Sequence, residues 1–274
     1  MKLVVAAAVL MFASYGNAVL TKEFRTLLPY SVDEFLLGYR WSIAESSILE
    51  TGGGEGVQIV GEPRFDSSEY GTGELTKKIL HLKTKAPPIF HLMAGGVFKV
   101  HEKSWFTPTG VTTIYTEKKF MKSDFGLTIR SKFVDADNCQ RDDVLAESGS
   151  TDVIQVDFTT DIPEGQEWNP TTCSSDRGPL TSGWKSEQPH MCVYTSVEVK
   201  FDWDVMRAVL EPRAMDAYQS LLEKFYRQMF CWANEWAGLS EKQVEKKERD
   251  TQAELDRIRD KGNVRGQIEG VSAT

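Results

Sequence analysis

What most constrains this chain is a hydrophobic pattern that repeats every second residue through its middle. It runs through Val57–Val60, Leu75–Leu82, Val97–Ser104, Val111–Glu117, Leu127–Phe133, Val153–Thr159 and Val193–Trp203. A strand turns successive side chains to opposite faces, so period two marks a strand with one dry side. In the last run Val193, Val197, Val199, Phe201 and Trp203 share one face, with Thr195 among them, while Tyr194, Glu198, Lys200 and Asp202 take the other. Glycine, proline and charged residues separate the runs, which predicts a large antiparallel sheet. The polar stretch 135–151 reads as a loop.

Helical spacing brackets this region. Ser31-Val32-Asp33-Glu34 has the form of a capping box, and Val32, Phe35, Leu36, Tyr39 and Ile43 predict a helix over 32–48. Thr51-Gly52-Gly53-Gly54-Glu55-Gly56 then ends it in a flexible turn. Near the other end, Met215, Tyr218, Leu222, Phe225, Met229, Trp232 and Trp236 are three or four apart, an apolar stripe that a long buried helix requires. Gly238 is its expected C-cap. Ser240 with Gln243 opens a last helix, over about 241–260, whose Val244, Leu255 and Ile258 stand among thirteen charged residues. That helix should hold on weakly. The fold class is therefore α+β, one domain around an interior, with a flexible tail over 263–274.

The net charge of -8 argues against a broad electrostatic grip on nucleic acid. Past residue 18 no apolar stretch is long enough to span a bilayer, so membrane contact is expected to be peripheral. Lys2, the run Leu3 to Ala13, and small residues at Gly16 and Ala18 give residues 1–18 the three parts of a secretory signal peptide. The alternative is a translated leader on a cytosolic protein. Cys139, Cys173, Cys192 and Cys231 have no zinc-type spacing, and a chain of this size does not need disulfide staples. His101-Glu102 begins like a zinc helix but has no second histidine four residues on. The glycine run at 52–56 lacks the Lys-Ser/Thr of a phosphate loop. GxSxG, HExxH and GxGxxG are absent. The expectation is a chain without catalytic residues, metal or cofactor.

Several ordered segments resemble the class I phosphatidylinositol transfer proteins. They include Lys22-Glu23-Phe24-Arg25, Ser31 to Phe35, Glu50 to Val57, His101 to Trp105, Arg177 to Leu180, Met191 to Tyr194 and Phe225 to Trp232. The resemblance runs from Val19 to about Lys261. It implies a START-like helix-grip fold, in which a curved sheet and long helices enclose one phospholipid. It also implies a monomer that moves phosphatidylinositol or phosphatidylcholine between membrane surfaces, cytoplasmic unless the leader directs it to the secretory route. The alternatives are a lipid sensor without transfer activity and an enzyme on a related helix-grip fold. The last helix would be the lid.

Residue by residue, the resemblance assigns Thr76, Lys78 and Glu102 to an inositol head group and Thr113 and Ser131 to the region of the phosphate. Glu248, on the lid, would reach Lys78. Trp203 would dock on membranes, although its family partner is replaced by Asp204. Other positions depart from the family. Its inositol-contacting Asn is Phe106 here, a Gln near the phosphate is Tyr39, a Lys is Thr195, and a cavity Cys is Val111. One extra residue between Trp105 and Ile114 leaves Thr107 as the alternative occupant of the Asn position. These changes imply a weakened preference for inositol over choline.

Overall fold

The computed structural model describes residues 19–61, 64–82, 84, 98–145, 152–162, 167–175, 177–187 and 189–266. The leader at 1–18 and the tail beyond 266 lie outside the described residues. The strands are β1 (Leu20–Leu28), β2 (Gly56–Gly61), β3 (Arg64–Ser67), β4 (Gly71–Leu82), β5 (Phe98–Thr107), β6 (Gly110–Glu117), β7 (Phe125–Asp135), β8 (Val153–Val156) and β9 (Met191–Phe201). The helices are α1 (Val32–Leu49), α2 (Asp204–Cys231), α3 (Ala233–Trp236) and α4 (Glu241–Ile258).

Among the described residues these nine strands form one sheet in the order β2-β4-β5-β6-β7-β9-β1-β8, with β3 paired to β4. Every pairing is antiparallel except β1 with β8, so the sheet is mixed rather than purely antiparallel. Strand β1 escaped the period-two reading because it is covered on both faces, from Glu23 through Thr26. One face carries Phe24. The other carries Arg25, held by Glu23 at 2.6 Å and Asp142 at 2.8 Å. A buried cation needs such partners, because desolvation otherwise costs several kcal/mol.

Helices α1, α2 and α3 lie against the sheet around a core of Tyr30, Phe35, Phe133, Met229, Phe230 and Trp236. A Cβ on Gly38 would come within 2.8 Å of Met229 and 2.9 Å of Trp236, so α1 can sit this close only with glycine there. The Trp236 ring N–H donates to the Met229 carbonyl at 2.8 Å. Helix α2 begins at Asp204, eleven residues before the apolar stripe, and runs through Pro212. Proline reads as a breaker in sequence. Here it is carried inside a helix of 28 residues.

The four cysteines correct another expectation. Cys139 bonds Cys192 and Cys173 bonds Cys231, tying the loop after β7 to β9 and the 167–187 segment to the end of α2. Partners 53 and 58 residues apart carry no local spacing signal. Asp137 lies beside the first pair, but sulfurs joined to each other cannot serve as thiolate ligands.

Helix α4 is held more firmly than its charged sequence implies. Its capping box forms as read, and Val244, Thr251, Leu255 and Ile258 are buried. Lys247 lies over the Trp41 ring of α1 at 5.2 Å and pairs with Glu45. Beyond the helix the chain meets the glycine run. The Gly53 and Gly54 N–H groups donate to the Lys261 and Arg259 carbonyls at 2.9 and 2.7 Å. Gly53 has φ +66°, and a Cβ there would lie 2.5 Å from the Val264 nitrogen. The run is thus a built socket rather than a flexible turn, with Gly52 and Gly53 set against the chain at Asn263, Val264 and Arg265.

Candidate functional site

The inner face of the sheet, α1, α2 and α4 enclose a cavity of about 510 Å3. Because β4, β5, β6, β7 and β9 pair in continuous register, its wall is made of rungs. Glu74, Phe106, Val111, Ser131 and Thr195 form one; Thr76, Ser104, Thr113 and Ile129 the next; Lys78, Glu102 and Tyr115 the third. The nine head-group candidates Thr76, Lys78, Glu102, Thr113, Ser131, Glu248, Tyr39, Phe106 and Thr195 all line this one cavity. Along β4 the inward positions change from Glu74, Thr76 and Lys78 to Leu80 and Leu82, so the cavity is polar at one end and apolar at the other.

The polar groups are linked. Lys78 Nζ lies 3.4 Å from Glu102 Oε1, and Ser104 Oγ donates to the same oxygen at 3.1 Å. Ser104 and Thr113 hydroxyls are 2.9 Å apart, as are those of Ser131 and Thr195. Tyr115 stands opposite Glu102 on the neighbouring strand, and Tyr218 of α2 lines the same cavity. Burial first, then the Glu102 charge, pushes Tyr39 and Tyr115 above the usual tyrosine range. Burial does the same to Tyr218. All three phenols stay neutral at physiological pH and can donate hydrogen bonds.

Glu248 does not reach Lys78. Its carboxylate takes a two-pronged bond from Arg40 of α1, at 2.9 and 2.6 Å. Glu74 and Glu241 each lie 3.6 Å from the same guanidinium. Burial disfavours the Arg40 cation, but Glu248, Glu74 and Glu241 outweigh it and raise its pKa above the usual arginine value. The physical reason is geometric. A planar guanidinium meets both carboxylate oxygens at once, whereas Lys78 is already claimed by Glu102, its cross-strand neighbour. Arg40, Glu74 and Phe106 also border a second cavity of about 550 Å3, which reaches Arg64, Ser240 and Glu241.

Phe106 stacks on Tyr39, centroids 6.0 Å apart and planes at 12°. Thr107 does not take its place, because its hydroxyl donates to Gly110 O at 3.0 Å and closes the β5–β6 turn. Trp203 lies away from the cavity. The strand ends at Phe201, and Trp203 is the N-cap residue of α2, half-buried against a cluster that includes Val199 and Phe201.

Sequence reasoning missed Arg40, Glu74, Ser104, Tyr115 and Tyr218. Alternation could have found three of them, since Glu74, Ser104 and Tyr115 stand two residues from Thr76, Glu102 and Thr113 on the same strand faces. Arg40 gave no signal, because its partners come from β4 and α4, which only the fold brings together.

Residues 19–253 match the phosphatidylinositol transfer protein family. The chain is 34% identical over 268 residues to the phosphatidylinositol transfer protein beta isoforms of Bos taurus and Homo sapiens, covering 90% of this chain and 97% of each relative. Phosphatidylinositol transfer protein 1 of Dictyostelium discoideum is 31% identical, with 86% and 94% covered. A norcoclaurine synthase from Thalictrum flavum shares 12% identity at a TM-score of 0.38, covering 77% of this chain and 87% of that one, too distant to bear on the chemistry here. With a family match over residues 19–253 and relatives 31–34% identical along most of its length, this protein belongs to the phosphatidylinositol transfer protein family.

Proposed function

We propose that this protein carries one phospholipid at a time between membranes, phosphatidylinositol or phosphatidylcholine, with no chemical change to its cargo. The supporting observation is the polarity gradient along β4. A lipid has a polar head and apolar tails, and Glu74, Thr76 and Lys78 give way to Leu80 and Leu82 along one wall. Thr76, Lys78 and Glu102 would bind inositol hydroxyls. Ser104, Thr113, Ser131, Thr195 and Tyr218 offer neutral hydroxyls to the phosphate, which suits a wall whose cations are matched by carboxylates. Trp203 would rest among membrane head groups. The test is vesicle-to-vesicle transfer of labelled lipids. Lys78→Ala should lower phosphatidylinositol transfer roughly tenfold, about the worth of one hydrogen bond to a charged group, and largely spare phosphatidylcholine. Equal loss of both would mark Lys78 as structural. No transfer of either by the wild type would remove the carrier reading.

Two readings of location remain, and the disulfides favour one. A human relative is named cytoplasmic phosphatidylinositol transfer protein 1. Disulfides persist in oxidising compartments and are rare in the cytosol. All four cysteines here are paired, behind a leader with secretory form. N-terminal sequencing of the native protein distinguishes them. A mature start at Val19 supports the secretory route, and retention of Met1 or Lys2 supports the cytosol.

A further inference from the structure

The turn between β6 and β7 is built in a way the lipid cavity does not explain. Its sequence is Glu117-Lys118-Lys119-Phe120-Met121-Lys122-Ser123-Asp124. Of the two carboxylates at its base, Asp124 is half-exposed and Glu117 turns inward. Glu117 is buried and accepts the N–H groups of Lys119, Phe120 and Met121 at 2.9, 2.6 and 2.7 Å. Those bonds hold Lys122 at φ +47°, a conformation L-residues rarely adopt. Met121 is buried beneath, while Lys118, Lys119 and Lys122 are exposed. Lys119 Nζ lies 4.7 Å over the half-buried Phe120 ring.

The turn is fixed to the end of β9 and the link that follows it. The Asp202 N–H donates to Asp124 O at 2.7 Å, and Lys200 Nζ to Ser123 O at 3.3 Å. Asp202 is itself committed to Lys200 and Arg207, so beside the turn's three lysines stands one half-exposed carboxylate, Asp124, and the local balance stays positive. Phe120 and Trp203 pack on the same cluster as Leu80 and Leu82, the apolar end of the cavity wall. A local positive, aromatic surface therefore stands at the end where acyl chains would leave, on a chain whose net charge is -8.

We propose that the β6–β7 turn is an electrostatic docking surface for anionic membranes, with Lys118, Lys119 and Lys122 meeting lipid head groups beside Phe120 and Trp203. The orientation of cargo relative to this surface rests on the carrier reading; the charge and exposure of the turn do not. Each lysine brought near an anionic bilayer strengthens binding about fivefold, so three together supply on the order of 100-fold. The attraction should fade with added salt.

The experiment is sedimentation with vesicles of phosphatidylcholine alone or mixed with phosphatidylserine, run at low and high salt. The triple variant Lys118→Gln, Lys119→Gln, Lys122→Gln is compared with the wild type. A control variant, Lys103→Gln, Lys132→Gln, Lys242→Gln, removes the same charge from exposed sites elsewhere. The expected result is a loss of roughly 100-fold in binding to phosphatidylserine vesicles for the turn variant only, together with loss of the salt dependence. Near-ultraviolet circular dichroism should be unchanged. Binding to anionic vesicles that persists in the turn variant, or falls equally in the control, overturns the proposal. Normal docking without lipid transfer would leave the surface standing and remove the carrier reading instead.

Discussion

Phe106 carries the head-group question to a single side chain. It sits on the rung with Ser131 and Thr195 and stacks on Tyr39, so it presents a ring, with no hydrogen-bonding group, beside the cavity's hydroxyls. One missing hydrogen bond costs about 0.5–1.5 kcal/mol, or roughly two- to tenfold in affinity. Phe106→Asn should raise the phosphatidylinositol share by about that factor when the protein is loaded from mixed vesicles and the bound lipid weighed. An unchanged share would place the inositol elsewhere. Thr107 cannot compensate, since its hydroxyl closes the turn. Such positions were legible through the resemblance to the family, with strand alternation putting Thr76 and Lys78 on one face. Arg40 was not, because an ion pair across 208 residues leaves no trace in local spacing.

At the scale of elements, the lid is the part whose sequence misleads. Its dense charge suggests a loose helix, yet the charges are spent on α1. Arg40 holds Glu248, and Lys247 holds Glu45 and Trp41. Hydrogen bonds involving charged groups contribute about 1.5–3 kcal/mol, so Arg40→Leu should speed amide exchange in α4 by roughly ten- to a hundredfold. Protection that stays at the wild-type level would mean the socket at Gly53 and Gly54 holds the lid alone. The β6–β7 turn has a different dependence. Burial pushes the Glu117 carboxyl up, but the amides of Met121, Lys119, Phe120 and Lys122 outweigh it and hold it below the usual range. A depressed folded-state pKa gives stability that is present above the unfolded value and lost as pH falls through the folded one. Exchange of the Phe120 and Met121 amides should therefore stay slow at neutral pH and accelerate only in acid, below the ordinary glutamate range. In Glu117→Gln it should be fast already at neutral pH.

Across the whole molecule, most of the sheet was legible and the staples were not. The period-two runs located β8 at the sheet's edge and β2, β4, β5, β6, β7 and β9, whose inner faces make the cavity. They could not locate β1, which is covered on both faces, nor the short edge strand β3. The disulfides close loops of 53 and 58 residues, which in the chain-entropy view contribute about 4 kcal/mol each. None of the four cysteines is among the described residues that line the cavity, so the disulfides brace the loops around the site rather than its wall. An interior that holds one phospholipid is open to native mass spectrometry of the purified chain. The spectrum should show a single added mass equal to one phospholipid, exchangeable for phosphatidylinositol or phosphatidylcholine on incubation with vesicles. A chain that flies empty after such incubation, or one that retains a molecule other than a phospholipid, would contradict it.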